Sequence, residues 1–247
     1  MGTDPSQRGH GSASDRGPLS SGTLAAVDDH GRAHPRTFKP RRRRLSPSRL
    51  AAFDRLLPEW SLDVTGHSLD LSDVFGRAGT TVLEVGSGAG ENLVAAAMRD
   101  RAVDYIAAEV HTPGVARLLV DIEAHALSNV RVVHGDALEF CGRLADESLD
   151  EVWVFFPDPW PKPRQRQRRI IHPDRLQPLL RCLRRGGMLR MATDIADYAE
   201  QMEQVCDAID CLDGGVVERC DGRAMTRFET KGLDAGRNIV DLAYQRV

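Results

Sequence analysis

The chain has 247 residues, 41% of them hydrophobic, and a formal net charge of −3. That length suits one large α/β domain plus a tail. No run approaches the ~18 apolar residues of a membrane span, and no charged-then-apolar signal pattern opens the chain. Five cysteines (Cys141, Cys182, Cys206, Cys211 and Cys220) are odd in number, scattered and never spaced C-x-x-C. They exclude a zinc site or disulfide framework as the expectation and point to a reducing, cytoplasmic setting with no metal.

The charge is uneven. Residues 1–50 hold ten Lys and Arg against four Asp, a local +6, while the remainder holds 23 basic and 32 acidic residues, a local −9. A mildly acidic body still binds nucleic acid where basic residues cluster near the phosphates. Residues 1–35 are Gly, Ser, Asp, Arg and His with almost no apolar periodicity, so they bury too little surface to offset chain entropy and read as a disordered tail. Arg36 to Lys39 and the run Arg41 to Arg44 form a basic arm, suited to RNA phosphates or simply solvated. Residues 49–57 have helical apolar periodicity, with Pro58 as the expected stop.

Residues 81–85 read as a strand, Gly86-x-Gly88-x-Gly90 as a tight turn, and residues 93–98 as a helix. Strand, glycine loop and helix open a nucleotide-binding α/β unit. A dinucleotide site wants G-x-G-x-x-G, with pyrophosphate on the helix N-terminus. The G-x-G-x-G spacing, with Glu84 two residues ahead, suits S-adenosyl-L-methionine instead, whose amine or a bound water meets the strand-borne carboxylate. Residues 104–110 read as the second strand. Glu109, 19 residues after Gly90, either accepts from ribose hydroxyls or is a surface residue ahead of the helix near Thr112-Pro113. Residues 130–134 are the third strand. Asp136 behind it meets an adenine amino group, caps the next helix, or does both.

The fourth strand, residues 150–157, is rich in Val, Trp and Phe and runs into Pro157-Asp158-Pro159-Trp160-Pro161. Three prolines in five residues cannot continue a hydrogen-bonded ladder, so Asp158 stands at a strand end on a stiff loop beside an indole. Lys162, Arg164, Arg166, Arg168, Arg169 and Arg175 follow. The arrangement suits a pocket for a base with a rim for phosphates. Its plain alternative is a strand end and a solvated basic loop. Residues 173–185 read as a helix closed by Gly186-Gly187, 188–192 as the fifth strand ending at Thr193-Asp194, and 198–209 as a helix. Residues 216–219 and 238–246 read as closing strands around a polar, basic loop, 226–232. Alternation of strands and helices predicts a mostly parallel sheet, whose ligands sit beyond the strands' carboxyl ends. Glu84, Glu109, Asp136, Asp158 and Asp194 all fall at or near those ends.

Together, Leu83-Glu84-Val85-Gly86-x-Gly88-x-Gly90, Glu109-Val110-His111-x-Pro113-Gly114, Phe155-Phe156-Pro157-Asp158-Pro159-Trp160-x-Lys162-x-Arg164, Arg168-Arg169-Ile170, Ala192-Thr193-Asp194 and Thr226-Arg227-Phe228-Glu229 resemble the bacterial tRNA (guanine-N7-)-methyltransferases, from about Arg36 to Val247. The resemblance implies a Rossmann-like class I fold with a seven-stranded, mostly parallel sheet. It also implies methyl transfer from S-adenosyl-L-methionine to N7 of a guanine in the tRNA variable loop. It implies that Glu84, Gly86, Gly88, Gly90, Glu109, Asp136 and Asp158 surround the cofactor, with Asp158 catalytic. It further implies that Lys162, Arg164, Arg166, Arg168, Arg169, Asp194, Thr226, Arg227, Phe228 and Glu229 meet the tRNA. Trp160 is a candidate to pack against a guanine drawn out of its stack. No membrane and no obligatory protein partner is expected. The division is then a tail (1–35), a basic arm and lead-in helix (36–57) and a methyltransferase domain (58–247). Pro161 and Pro163 around Lys162, and Arg227 where lysine is commoner, depart from the family pattern.

Three alternatives compete. An amino-methyltransferase of nucleobases wants Pro-Pro-aromatic after the acidic residue, and Asp158-Pro159-Trp160 lacks the second proline. A catalytically silent RNA-binding subunit fits poorly with an intact glycine loop and five strand-end acids. A dinucleotide oxidoreductase is disfavoured by the glycine spacing.

Overall fold

The computed structural model describes residues 37–38, 44–220 and 222–247. The expected tail and the arginines at 36 and 41–43 lie outside the described residues. The elements run α1 (Pro47–Trp60), β1 (Ser61–Leu62), α2 (Leu71–Phe75), β2 (Thr81–Val85), α3 (Glu91–Arg99), β3 (Asp104–Ala108), α4 (Thr112–Ala124), β4 (Val130–Val133), α5 (Ala137–Cys141) and β5 (Leu149–Phe155). A 3₁₀ turn (Pro163–Arg168) then leads to α6 (Pro173–Cys182), β6 (Leu183–Thr193), α7 (Ala196–Asp207), β7 (Leu212–Val217), α8 (Arg227–Asp234) and β8 (Val240–Arg246).

The strands form one sheet in the order β1-β4-β3-β2-β5-β6-β8-β7. Only β8 runs against its neighbours, β6 and β7. Period-two alternation in the central strands divides the core. Leu83, Val85, Ile106, Ala108, Val152 and Val154 face one layer, with Phe140, Leu176, Leu179 and Tyr198. Val82, Tyr105, Ala107, Trp153 and Phe155 face the other, with Leu56, Leu93, Leu118 and Leu119. Each fully buried leucine among them contributes about 1.5–3 kcal/mol. Helices therefore cover both faces, and the chain changes direction across the sheet beside β2. That switch point leaves a crevice at the strands' carboxyl ends.

Four expectations are corrected here. The sheet has eight strands, because Ser61 and Leu62 pair with Val132 and Val133 at one edge. That two-residue run is too short to show periodicity. Pro58 lies inside α1 rather than ending it. In the last turn a proline removes a single ladder bond, and the helix continues because Leu56, Leu57 and Trp60 pack into the second layer. α6 stops at Cys182, and Leu183 already pairs with Leu149 in β6. Gly186-Gly187 is thus an irregularity inside a strand, not a helix cap. Gly186 has φ +75°, and a Cβ on Gly187 would stand 2.8 Å from the Asp150 carbonyl oxygen. Finally, residues 227–234 form a helix, α8, where a loop was expected. Its buried face consists of a paired glutamate and a glycine, Glu229 and Gly232, so it carries no apolar stripe for periodicity to detect.

Candidate active site

The carboxyl ends of β2 to β5 open into a cleft of about 420 Å³. Its floor is the glycine loop. Gly86, Gly88 and Gly90 all have positive φ, at 75°, 60° and 77°, a conformation that only glycine adopts without strain. A Cβ on Gly90 would also meet Leu118 Cδ1 at 2.4 Å. Glu109, buried just beyond β3, clamps the loop. Its Oε2 accepts from Gly88 N at 2.7 Å and its Oε1 from His111 N at 2.6 Å. Asp136 caps α5, accepting from Leu138 N at 2.9 Å, and also lines the cleft. The two roles expected for it are compatible.

Glu84 is the unusual member of this wall. It is 4% exposed. Its Oε1 accepts from Asn92 Nδ2 at 3.2 Å, whereas Oε2 is buried with no hydrogen-bond partner among the described residues. Burial raises its pKa to about 8; the Asn92 hydrogen bond pulls the other way and nearby Glu109 adds to the rise. A buried carboxylate oxygen without a partner calls for a proton or a cation. The cleft it lines therefore fits a ligand that carries an ammonium group.

The opposite wall is the loop after β5. Phe156, at φ +50°, donates its N–H to the Ala192 carbonyl at 2.8 Å. Pro157 and Asp158 then enter the cleft lining. Trp160, at φ +41°, is buried. Its Nε1 donates to the Thr37 carbonyl at 2.8 Å, and the Arg168 guanidinium lies 4.9 Å from its ring. Two non-glycine residues at positive φ store strain that this packing has to offset. Arg169 secures the same loop from below. It is fully buried, donates to the Pro159 carbonyl at 2.8 Å, Asp197 Oδ2 at 2.6 Å and Gln201 Oε1 at 2.8 Å, and lies 4.4 Å from the Tyr198 ring.

The third wall is α8. Thr226 caps it, accepting from Glu229 N at 3.2 Å. Glu229 is 1% exposed and receives Arg219 Nη1 at 2.5 Å and Arg223 Nη1 at 2.7 Å, while Arg223 Nε also donates to Asp241 Oδ1 at 2.7 Å. Burial alone would push the Glu229 pKa up; the two guanidiniums outweigh it and hold it below the usual value. From this root, Arg227, Phe228 and Lys231 project to the cleft, with Phe228 66% exposed. Arg227 Nε pairs with Glu91 Oε1 at 2.8 Å.

A family model described as "Putative methyltransferase" matches residues 78–242. A tRNA (guanine-N(7)-)-methyltransferase of Xanthomonas campestris pv. campestris (strain 8004) is 46% identical over 224 residues, covering 88% of this chain and 86% of that protein. Another, from Streptomyces avermitilis, is 42% identical over 218 residues, covering 86% and 75%. The chain belongs to the tRNA (guanine-N(7)-)-methyltransferase family. Among solved structures, the 16S rRNA methyltransferase KamB superposes with a TM-score of 0.54 at 14% identity, over 73% of this chain and 95% of that one. That likeness concerns the fold.

Of the residues singled out in the sequence, the cleft of this family member gathers Glu84, Gly86, Gly88, Glu109, Asp136, Asp158, Thr226, Arg227 and Phe228. Lys162, Arg164 and Arg166 are exposed on the 3₁₀ turn and its approach. Two assignments are corrected, and two more residues stand apart from the cleft. Arg169 is a buried tie, because its guanidinium is consumed by Pro159, Asp197 and Gln201. Glu229 is a buried ion-pair member outside the cleft lining. Asp194 lies outside the cleft lining, pairing with Arg237 Nε at 3.1 Å. Trp160 is occupied by Thr37 and Arg168, so its ring is not open to a base. The sequence reading missed Thr37, Phe38, Asn92 and Lys231, which line the cleft, and Arg223, which holds Glu229 and Asp241. Lys231 stands one helical turn beyond Arg227, a signal that only the helix makes visible. Asn92 holds a segment more than 100 residues away, and Arg223 works through carboxylates on α8 and β8. No local pattern reveals either. Among the described residues, no helix is long and apolar enough to cross a membrane. Nor is any group of three or more His, Cys, Asp or Glu placed to hold a metal ion.

Proposed function

We propose that this protein transfers a methyl group from S-adenosyl-L-methionine to N7 of a guanine in the variable loop of tRNA, in the cytoplasm. The observation that carries the reading is the shared cleft. The orphan carboxylate of Glu84 and the loop-clamping Glu109 line the same cavity as Asp158 and the exposed Phe228. The bound cofactor supplies an electrophilic methyl group on a sulfonium. Glu84 Oε2 suits its ammonium, directly or through water. Glu109 retains acceptor capacity for ribose hydroxyls beyond the two backbone N–H groups it already holds. Asp136 suits the adenine amino group.

Guanine N7 carries a free lone pair, so methylation there removes no proton and requires no general base. Asp158 instead accepts from N1–H and the exocyclic amine together, which turns N7 toward the methyl. It also stabilises the positive charge that grows on the purine. Both roles need the base out of its stack, and Phe228 offers it an exposed ring at the cleft mouth. Lys162, Arg164, Arg166 and Arg227 present charge to the flanking phosphates without reading sequence.

Unmodified tRNA incubated with the protein and S-adenosyl-L-methionine should yield 7-methylguanosine on nucleoside mass spectrometry, mapped to the variable loop. A methyl group on an exocyclic amine, or no methylation, overturns the reading.

A further inference from the structure

Asn92 is the second residue of α3 and is 3% exposed. Its two amide atoms bond to different parts of the fold. Nδ2 donates to Glu84 Oε1 at 3.2 Å, and Oδ1 accepts from Ala224 N at 2.8 Å. The orientation of the amide is not arbitrary. Ala224 N–H is an obligatory donor, so the atom facing it must be the oxygen, which leaves the NH₂ for Glu84. Ala224 lies in the short segment from Arg223, locked between Glu229 and Asp241, to Thr226, the cap of α8. The neighbouring Glu91 holds the same segment, accepting from Arg227 N at 2.8 Å. The first turn of α3 is thus tied to the cofactor wall at one end and to the root of α8 at the other.

We infer that Asn92 is a positioning residue that couples occupancy of the cofactor wall to the placement of α8 against the tRNA. The coupling rests on the reading that Glu84 meets the cofactor and α8 meets the tRNA. Its physical basis is a choice of amide orientation. An ionised Glu84 only accepts, and accepts strongly, so it fixes NH₂ toward itself and oxygen toward Ala224. A neutral Glu84 also donates. It then holds the amide less firmly and tolerates a flip, and each flip sets two donors face to face at Ala224 and loosens the segment that carries Arg227 and Phe228. A cationic group at the orphan Oε2 favours the ionised form and so the docked α8. By linkage, tRNA must then tighten cofactor binding by the same factor that the cofactor tightens tRNA binding.

The test uses the full chain, S-adenosylhomocysteine as the unreactive probe, and unmodified tRNA. Calorimetry gives the probe's affinity without and with saturating tRNA. The wild-type ratio should fall in the range of roughly 5–150-fold. Asn92→Asp keeps an oxygen toward Ala224 N and removes the amide whose flip carries the coupling, while setting a second carboxyl beside Glu84 that shares a proton with it. It should bind tRNA alone as the wild type does, melt below the wild type, and bring the ratio close to one. Asn92→Ala loses both bonds, and should also weaken binding of tRNA alone. If Asn92→Ala does not fold, the isosteric Asn92→Asp still decides. A wild-type ratio of one, or an unchanged ratio in Asn92→Asp, overturns the coupling. Measuring 7-methylguanosine in the same wild-type protein with S-adenosyl-L-methionine separates the two failures. Normal methylation with an unchanged ratio refutes only the relay, whereas absent methylation refutes the reading beneath it.

Discussion

Two buried glutamates in this molecule are driven in opposite directions. Glu84, in the cleft wall, has a single amide donor and, among the described residues, an oxygen with no hydrogen-bond partner, and burial raises its pKa to about 8. Glu229, at the root of α8, is as deeply buried, yet Arg219 and Arg223 hold its pKa below the usual value. The chain completes the electrostatics of one site and leaves the other incomplete. Completed charge marks what holds the fold, and incomplete charge marks where a ligand belongs. Sequence pattern alone does not separate them, because both are Glu beside an apolar residue.

The largest effect should come from breaking the completed site. Glu229→Ala leaves Arg223 with Asp241 alone and Arg219 without a carboxylate. Removing one partner of a buried pair costs about 3–5 kcal/mol. Urea unfolding should report that loss, and a change under about 1 kcal/mol, the scale of a surface ion pair, would contradict the structural role assigned to Glu229.

Asp158 tests a cleft carboxylate whose proposed partner is the substrate. Asp158→Asn should reduce turnover about 10²–10³-fold at saturating substrates while unfolding at the wild-type urea concentration. tRNA carrying inosine at the target separates its two roles. Pairing through the exocyclic amine predicts poor use of inosine, and charge stabilisation predicts little discrimination. Wild-type turnover in Asp158→Asn would remove both roles.

Glu84 gives a pH dependence whose sign follows from its direction of shift. Its folded pKa, about 8, lies above its ordinary value of 4.5, so the folded state keeps a proton that the unfolded chain releases. The associated stability is fully present below pH 4.5 and is lost as pH rises through 8. Cofactor-free protein should therefore lose stability between these limits, and Glu84→Gln should flatten the loss. An ammonium beside Glu84 should release that proton, so cofactor affinity should rise with pH up to about 8. Calorimetry in buffers of different ionisation enthalpy detects the release. No proton release near neutral pH would show that Glu84 does not meet the cation.

Much of this was legible in the sequence because it is local. The glycine turn, the cap Asp136 and the proline-stiffened Asp158 each follow from a few adjacent residues. Strand-favouring residues at 81–85, 104–110 and 130–134 located β2, β3 and β4 within a residue or two. What stayed hidden depends on distance. Arg169 reads as one more cation in a basic run until Asp197 and Gln201, about 30 residues on, enclose it. Glu229 reads as part of a recognition loop until Arg219 and Arg223 reach it. α8 escaped because its buried face is charged.

The smallest expected effect extends the same contrast to the basic run. Arg164 is exposed, Arg166 is exposed but pairs with Asp197 Oδ2 at 3.0 Å, and Arg169 is fully committed to the protein. Phosphate binding should follow that order. Each tRNA phosphate left without its cation should flatten the slope of log affinity against log salt by roughly 0.7–0.9. Arg164→Ala should show the full change. Arg166→Ala should show less, because a phosphate must first displace Asp197, and the freed carboxylate adds a cost to binding that the mutant no longer bears. Arg169→Ala should leave the slope intact in the folded fraction and instead lower stability, since it strips the Pro159 carbonyl and Asp197 of their buried donor. Filter binding across a salt series, paired with urea unfolding of each variant, measures both axes. If Arg164→Ala keeps the wild-type slope, the exposed arginines are solvated surface and the tRNA is held elsewhere. If Arg169→Ala flattens it while remaining as stable as the wild type, burial does not distinguish structural from ligand-seeking charge in this protein.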